Sequence, residues 1–92
     1  MAASLFLIFD LEDYEAWKEL FDSDPVGRKA VANSHQIYRA VDNPSEVFLG
    51  VQYPSADDAK TFRQKLLDAG VLDRFPPKLG PTVVELAEEV TY

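Results

Sequence analysis

Residues 34–53, SHQIYRAVDNPSEVFLGVQY, decide the fold, because they contain two β-strand patterns on either side of a polar turn. The patterns run from Ser34 to Val41 and from Val47 to Tyr53, and both are rich in β-branched and aromatic residues. The residues between them, Asp42-Asn43-Pro44-Ser45, are of types that favour turns. This stretch therefore predicts a β-hairpin.

Helix signals lie on both sides of the hairpin. Before it, Asp13 can cap an amphipathic helix, and a second, short helix is predicted to begin at Asp24-Pro25 and to end near Asn33. After it, Ser55 can cap a helix that ends at Gly70. The apolar residues that recur at helical spacing are Tyr14, Trp17, Leu20 and Phe21 in the first helix, and Ala59, Phe62, Leu66 and Ala69 in the last.

The two ends of the chain complete the predicted sheet. Ser4 to Phe9 is an apolar stretch that we expect to form a strand, and Thr82 to Tyr92 is expected to form the last one. The order β-α-β-β-α-β predicts an α+β, ferredoxin-like fold, in which two helices cover one face of a four-stranded antiparallel sheet. The sequence contains no linker or repeat, so residues 1–92 are predicted to form a single domain.

Composition excludes several classes of function. The 92 residues include 16 acidic and 9 basic ones, for a net charge of −7, so no nucleic acid or membrane partner is expected. No apolar stretch approaches the roughly 20 residues that span a bilayer. There is no cysteine, and a single histidine offers no cluster of metal ligands. We therefore expect a cytoplasmic protein without a metal or an organic cofactor.

The sheet is predicted to be apolar on both faces. Phe6, Ile8 and Phe48 alternate with the apolar side chains that point toward the helices. Because two helices cover only one face, we expect the other face to pack against a second copy of the chain. The sequence thus predicts a homodimer, and the last residues of the stretch from Thr82 to Tyr92 are expected to reach the partner subunit.

The hairpin register decides on which face each side chain lies. A turn formed by Asn43-Pro44 or by residues 42–45 would pair His35 with Gln52, and it would place His35 and Arg39 on the dimer face. The opposite side, toward a cleft between sheet and helices, would then carry Gln36, Tyr38 and Tyr53. A one-residue bulge would exchange the two sets.

A set of residues along the chain resembles a known superfamily. These residues are Asp13-Tyr14-x-x-Trp17-x-x-x-Phe21-Asp22, Arg28, Ile37-Tyr38-Arg39-x-x-Asp42-x-Pro44, Ala59-x-x-Phe62 and Ala69-Gly70-Val71. The set is similar to the dimeric α+β barrel superfamily, and within it to small bacterial proteins similar to antibiotic biosynthesis monooxygenases and cyclase-like proteins. The resemblance implies a homodimeric barrel with a small cleft in each subunit. It also implies cofactor-independent oxidation of phenolic or anthrone-like molecules in that cleft, or binding of a small ligand.

Three side chains are candidates for catalysis. His35 has the only side chain with an ordinary pKa near neutrality and is the first candidate for a base. Arg39 is the candidate for holding an anion, and Tyr38 is a further candidate for proton transfer. Each also has a structural interpretation: His35 as a surface or interface residue, Arg39 as the ion-pair partner of an acidic residue such as Glu46 or one from the partner subunit, and Tyr38 as a residue of the core.

Aromatic and polar side chains are the candidates for ligand binding. They are Trp17, Tyr14, Gln36, Tyr53 and Phe62. Core packing alone also accounts for the aromatic ones. The sequence therefore leaves two functions open. One is a protein that binds or oxidises an aromatic or polyketide-like molecule without a cofactor, and the other is a non-catalytic ligand-binding or structural homodimer.

Overall fold

A computed structural model describes residues 2–92. The described residues form β1 (Ala3–Asp10), α1 (Tyr14–Ser23), α2 (Arg28–Val31), β2 (Ser34–Arg39), β3 (Glu46–Tyr53), α3 (Ala56–Ala69) and β4 (Leu79–Glu85), with a 3₁₀ turn at Val71–Asp73. The strands pair antiparallel in the order β2-β3-β1-β4. The predicted ferredoxin-like fold is confirmed, with α2 as a short additional helix. None of the helices in this range is long and apolar enough to cross a membrane.

The predicted caps of the two long helices are confirmed. The Asp13 side chain accepts a hydrogen bond from the Ala16 N–H at 3.0 Å, and Ser55 Oγ accepts one from the Asp58 N–H at 3.2 Å. Gly70 ends α3 with φ 68°, a left-handed conformation that suits glycine. The local sequence determines both ends of α3 and the start of α1, because the capping residues form hydrogen bonds with backbone groups that the helix itself leaves unpaired.

Both long helices lie on one face of the sheet, which we call the helix-facing side. The residues of the two central strands, β1 and β3, that lie on this side are almost fully buried: Leu5, Leu7, Phe9, Val47, Leu49, Val51 and Tyr53. Trp17 of α1 and Phe62 of α3 belong to the same core. The molecule measures 37 × 35 × 19 Å, and its small thickness is that of one sheet and one helix layer.

The other face of the sheet, which we call the open face, is covered by no helix of the described residues. Phe6, Ile8 and Phe48 are half-buried there, and Tyr38 is 62% exposed. This face combines apolar side chains from three strands with solvent exposure.

A line of polar side chains crosses the open face. The Ser4 hydroxyl donates to Gln52 Oε1, and Gln52 Nε2 donates to Gln36 Oε1 at 2.9 Å. The line therefore joins the neighbouring strands β1, β3 and β2 through their side chains as well as their backbones.

The hairpin register differs from the prediction by one residue. The Ala40 N–H donates to the Glu46 carbonyl oxygen at 3.0 Å, which closes a loop of residues 41–45, an odd number. His35 consequently pairs with Val51 rather than with Gln52. Side chains of a strand alternate between faces, so this single residue reverses the orientation of all of β2.

The predicted faces of four β2 side chains were therefore wrong. His35 and Arg39 lie on the helix-facing side, and Gln36 and Tyr38 lie on the open face. The helix-facing orientation predicted for Tyr53 is confirmed, since this residue is fully buried. The β2 side chains thus exchange faces, as a one-residue bulge would have made them do. Here the hairpin loop, which has five residues instead of two or four, produces the shift.

The last strand is shorter than predicted. β4 ends at Glu85, which pairs with Ala3, the first residue of β1, so the neighbouring strand offers no further partner. Residues 86–92 have no regular structure and are exposed. The strand starts earlier than predicted, at Leu79, and passes through Gly80 with φ 87°. Only glycine fits there, because a Cβ would overlap the carbonyl oxygen of Phe6.

Candidate functional site

A cavity of about 70 Å³ lies between the helices and the helix-facing side of the sheet. Its floor includes Leu7 and Leu49, and its walls include Trp17 of α1 and Phe62 of α3. The remaining wall residues are also apolar, apart from two charged side chains, Asp24 and Arg28. Apolar walls with a few polar groups are typical of small-molecule sites.

Arg28 is a buried cation at the start of α2. Its side chain is 6% exposed, and its guanidinium lies 3.7 Å from the centre of the Phe21 ring. Nη1 donates to the Phe21 carbonyl oxygen at 3.0 Å. Within residues 2–92, no carboxylate oxygen lies within 4.0 Å of it. The hydrogen bond and the ring contact together hold the guanidinium against α1.

Asp24 lies between α1 and α2, and the prediction that it starts a helix was wrong. It ends α1 with φ 56°, and its N–H donates to the Phe21 carbonyl oxygen at 3.2 Å. Its Oδ2 accepts from the Lys29 N–H at 3.2 Å, which still links it to α2. Its Oδ1 is buried and has no hydrogen-bond partner in the described part of the chain. One carboxylate oxygen is therefore buried without a partner from the described residues.

Tyr53 carries a second buried polar atom without a partner among the described residues, its hydroxyl oxygen. Burial raises the pKa of this hydroxyl far above its usual value, and the Asp24 charge raises it further, although the Arg28 charge opposes the shift. The hydroxyl therefore stays protonated at neutral pH. Its ring packs on Phe62, with centroids 5.6 Å apart, but Tyr53 is not among the residues that line the cavity.

Aromatic rings of α1 form a row beside the cavity. The Trp17 ring lies 5.2 Å from that of Phe21 and 5.8 Å from that of Tyr14, measured between centroids. Of the predicted ligand-binding residues, Trp17 and Phe62 line the cavity. Tyr14 does not, and its ring lies 4.3 Å from the Arg39 guanidinium.

His35 contacts the cavity wall from outside. Its ring meets the Phe21 ring edge-on at 4.9 Å between centroids, but His35 does not line the cavity. Partial burial is the main cause that lowers its pKa below 6.5, and the charges of Arg28 and Lys18 lower it further. At neutral pH the imidazole is therefore uncharged and able to accept a proton.

The three predicted catalytic side chains are not brought together. Arg39 lies over Tyr14, away from the cavity, and its Nε donates to the Pro44 carbonyl oxygen at 3.0 Å. Arg39 does not pair with Glu46, because Glu46 pairs with Lys78; the alternative of an acidic residue of the partner subunit stays a prediction. Tyr38 is on the open face, on the other side of the sheet from His35. No three potential metal ligands lie together in residues 2–92.

Sequence reasoning missed Asp24 and Arg28 as site residues. Their spacing of four residues is the only local signal, and it suggests an ion pair on one helix. The chain does not form that ion pair, because Asp24 adopts a left-handed conformation that separates α1 from α2. What distinguishes the two residues is burial without a full set of partners, and this depends on the tertiary structure.

Comparison with known proteins defines the class of fold. No family model matches the sequence, and no curated protein matches it either. Among solved structures, that of Rv0793 from Mycobacterium tuberculosis is similar over 99% of this chain and 100% of its own, with a TM-score of 0.67 and 18% sequence identity. The similarity supports a ferredoxin-like α+β fold with this topology. At that identity it extends to the fold alone.

Proposed function

We propose that the protein binds a small aromatic or polyketide-like molecule in the cavity between sheet and helices. The observation that carries the proposal is a cavity whose walls are almost entirely apolar and include the aromatic rings of Trp17, Phe21 and Phe62. A ligand that covers these walls gains the free energy of removing apolar surface from water.

Binding requires the cavity to widen. Its volume of about 70 Å³ is smaller than the ~150 Å³ of a cavity known to bind benzene. We expect the wall formed by Leu72 and Phe75 to move. Both residues are only half-buried, and they lie in the segment between α3 and β4, whose only regular structure is the 3₁₀ turn at Val71–Asp73. Outward movement of this segment would admit one aromatic ring.

Fluorescence of Trp17 gives a direct test. It is the only tryptophan and it lines the cavity, so a bound ring should change its emission in a saturable way. Leu66→Phe should fill the cavity and weaken binding, whereas Leu67→Phe, on the exposed side of α3, should not. A panel of one-ring and fused-ring aromatics that produces neither a fluorescence change nor thermal stabilisation would refute the proposal.

Cofactor-independent oxidation is the second candidate, because His35 lies against the cavity wall and is uncharged at neutral pH. In this monooxygenase- or cyclase-like reaction, a base removes a proton from a phenolic or anthrone-like ligand, and the resulting anion reduces dioxygen. For an anthrone, the ring CH₂ becomes a carbonyl, one oxygen atom enters the product and the other leaves as water. Oxygen uptake by metal-stripped protein with a reduced anthrone tests this candidate. If oxygen is consumed no faster than in a control without protein, oxidation is refuted and ligand binding remains as the proposed function.

We also propose that two copies of the chain pack through their open faces. Tyr38, Leu79 and Val84 are 62%, 48% and 40% exposed, and such apolar patches on soluble proteins often mark interfaces. The exposed residues 86–92 include Leu86 and Val90, which would extend the interface onto the partner subunit. The chain would then form the homodimeric α+β barrel that the resemblance implies.

A further inference from the structure

A second pocket opens on the surface beside the start of β2, outside the cavity between sheet and helices. We call it the outer pocket. Its volume is about 170 Å³, and polar and apolar atoms contribute equally to its walls. The residues that line it are Arg28, Lys29, Ala32, Asn33, Ser34 and His35. Among residues 2–92, no acidic side chain lines the outer pocket, and all of its lining residues except Ala32 carry a polar or basic side chain.

Basic groups are concentrated at the outer pocket, although the whole chain has a net charge of −7. The Arg28 guanidinium carbon lies 3.7 Å from the centre of the Phe21 ring, and the centre of the His35 ring lies 4.9 Å from the same point. The two basic groups are thus separated by at most the sum of these distances. Lys29 is a third basic residue, and within the described part of the chain it forms no ion pair.

The pKa of His35 agrees with an excess of positive charge at this place. Burial is the main cause that lowers this pKa below 6.5, and the charges of Arg28, Lys18 and Lys29 lower it further. Asp22 is the acidic residue that opposes the shift, and its carboxylate is paired with Lys18 at 2.6 Å. The charged groups that α1 and α2 bring to His35 are therefore mainly cations, and an anion in the outer pocket would be attracted to them.

We infer that the outer pocket binds a small tetrahedral oxyanion, of the kind that phosphate esters carry. The inference goes beyond the proposed aromatic ligand, because it concerns a different pocket. A phosphate group has three strong acceptor oxygens and a charge of about −1.5 to −2 at neutral pH. The lining residues carry guanidinium, ammonium, amide and hydroxyl donors, and two of them, Arg28 and Lys29, are cations at neutral pH.

Other classes of ligand match the outer pocket less well. A divalent metal ion prefers carboxylate ligands, and no acidic side chain of residues 2–92 lines the pocket. A nucleic acid carries phosphates too, but the net charge of −7 opposes its approach. A carboxylate has two acceptor oxygens and a single charge, so we expect it to bind more weakly than a phosphate group.

His35 supplies the probe for the experiment, because it is the only histidine of the chain. Its imidazole protons, followed by NMR between about pH 5 and about pH 8, report its pKa directly. At constant ionic strength, replacing chloride by sulfate or methyl phosphate should raise the pKa of His35 by about one pH unit, since a neighbouring anion favours the charged imidazole. That rise corresponds to about tenfold tighter binding of the anion to the protonated form. The rise should saturate with anion concentration, and acetate should cause a smaller one.

Two variants and a matched control locate the bound anion. Lys29→Gln removes an exposed cation and should weaken sulfate binding about three- to tenfold. Without sulfate, the same variant should show a higher His35 pKa, because the Lys29 charge lowers it. Ser34→Ala removes a hydroxyl from the wall and should also weaken sulfate binding. Lys65→Gln is the control, because it removes the same charge from an exposed position of α3 that does not line the outer pocket.

Three results would overturn the inference. If the pKa of His35 is the same in chloride and in sulfate, no anion binds beside it. If the rise does not saturate, or if Lys29→Gln and Lys65→Gln change it equally, the cause is the general charge of the protein rather than a site. If acetate raises the pKa as much as sulfate and methyl phosphate do, the outer pocket does not select a tetrahedral oxyanion.

Discussion

The two faces of the sheet are made from adjacent residues, yet they are packed in different ways. On β1, Leu7 is 2% exposed beneath the helices, while Ile8 is only half-buried on the open face. On β3, Val47 is fully buried and its neighbour Phe48 is not. Both faces are apolar, but within residues 2–92 only the helix-facing side is covered by helices. The open face is the surface through which we propose that two copies pack.

Polar groups differ between the faces as well. On the open face, Ser4, Gln52 and Gln36 are joined to one another by two hydrogen bonds. On the helix-facing side, Asp24 Oδ1 and the Tyr53 hydroxyl have no partner among the described residues. A hydrogen-bonded network can be buried in an interface at lower cost than polar atoms without partners. This difference agrees with the proposals that copies pack through the open face and that a ligand binds on the helix-facing side.

The largest expected effect is a difference in unfolding free energy between substitutions on the two faces of the sheet. Leu7→Ala should lower the free energy of unfolding by about 2–5 kcal/mol at every protein concentration, because it removes a fully buried side chain from the chain's own core. Ile8→Ala should cost less, and its cost should grow with protein concentration as the proposed dimer forms. Urea denaturation at several protein concentrations measures both. If both substitutions lower the unfolding free energy equally and independently of protein concentration, the two faces do not differ in the way proposed.

A charge on the open face tests the assembly itself. Phe48→Glu should raise the dimer dissociation constant roughly 100-fold, because a symmetric interface would bring two carboxylates into an apolar contact. Phe48→Leu keeps the face apolar and is the control. Light scattering behind a sizing column measures the mass. A native chain that elutes with the mass of one copy at micromolar concentration would contradict the dimer.

The smallest effect concerns pH and the helix-facing side. Burial, with the charges of Arg28, Lys18 and Lys29, lowers the pKa of His35 below 6.5, and only Asp22 opposes this shift. As the pH falls through 6.5, the unfolded chain therefore takes up a proton before the folded one does, and the stability that depends on neutral His35 is lost below this pH. His35→Gln removes this contribution. Between about pH 7.5 and about pH 5.5, the native chain should lose slightly more unfolding free energy than the variant. An identical loss in both would show that His35 does not contribute.

Local signals in the sequence were sufficient for most of the fold. Asp13 and Ser55 cap the starts of α1 and α3, and Gly70 ends α3. These roles depend on backbone atoms close in sequence, so they could be predicted. The hairpin itself was predictable from its turn residues, but its register was not. The length of the loop depends on which backbone groups form the hydrogen bond that closes it. A change of one residue in that length reverses the orientation of every β2 side chain.

The candidate site was only partly predictable. Trp17 and Phe62 were found because apolar spacing on a helix indicates the buried face, and the cavity lies against that face. Arg28 and Asp24 could not be assigned a role, since burial of a charged side chain depends on the packing of distant residues. The single dimeric barrel domain of residues 1–92, the cytoplasmic location and the absence of nucleic-acid partners stay predictions.

The thinness of the chain has a consequence for the shape of any assembly. A single copy is a disc of 37 × 35 × 19 Å with a radius of gyration of 13.3 Å. Two discs stacked through their faces would double the thickness and give a nearly isotropic particle. Two discs joined at β2 or β4, the edge strands, would instead give a plate about twice as long as it is wide. Sedimentation velocity separates these dimers of equal mass, since the stacked pair should have the lower frictional ratio and the edge-joined pair the higher one.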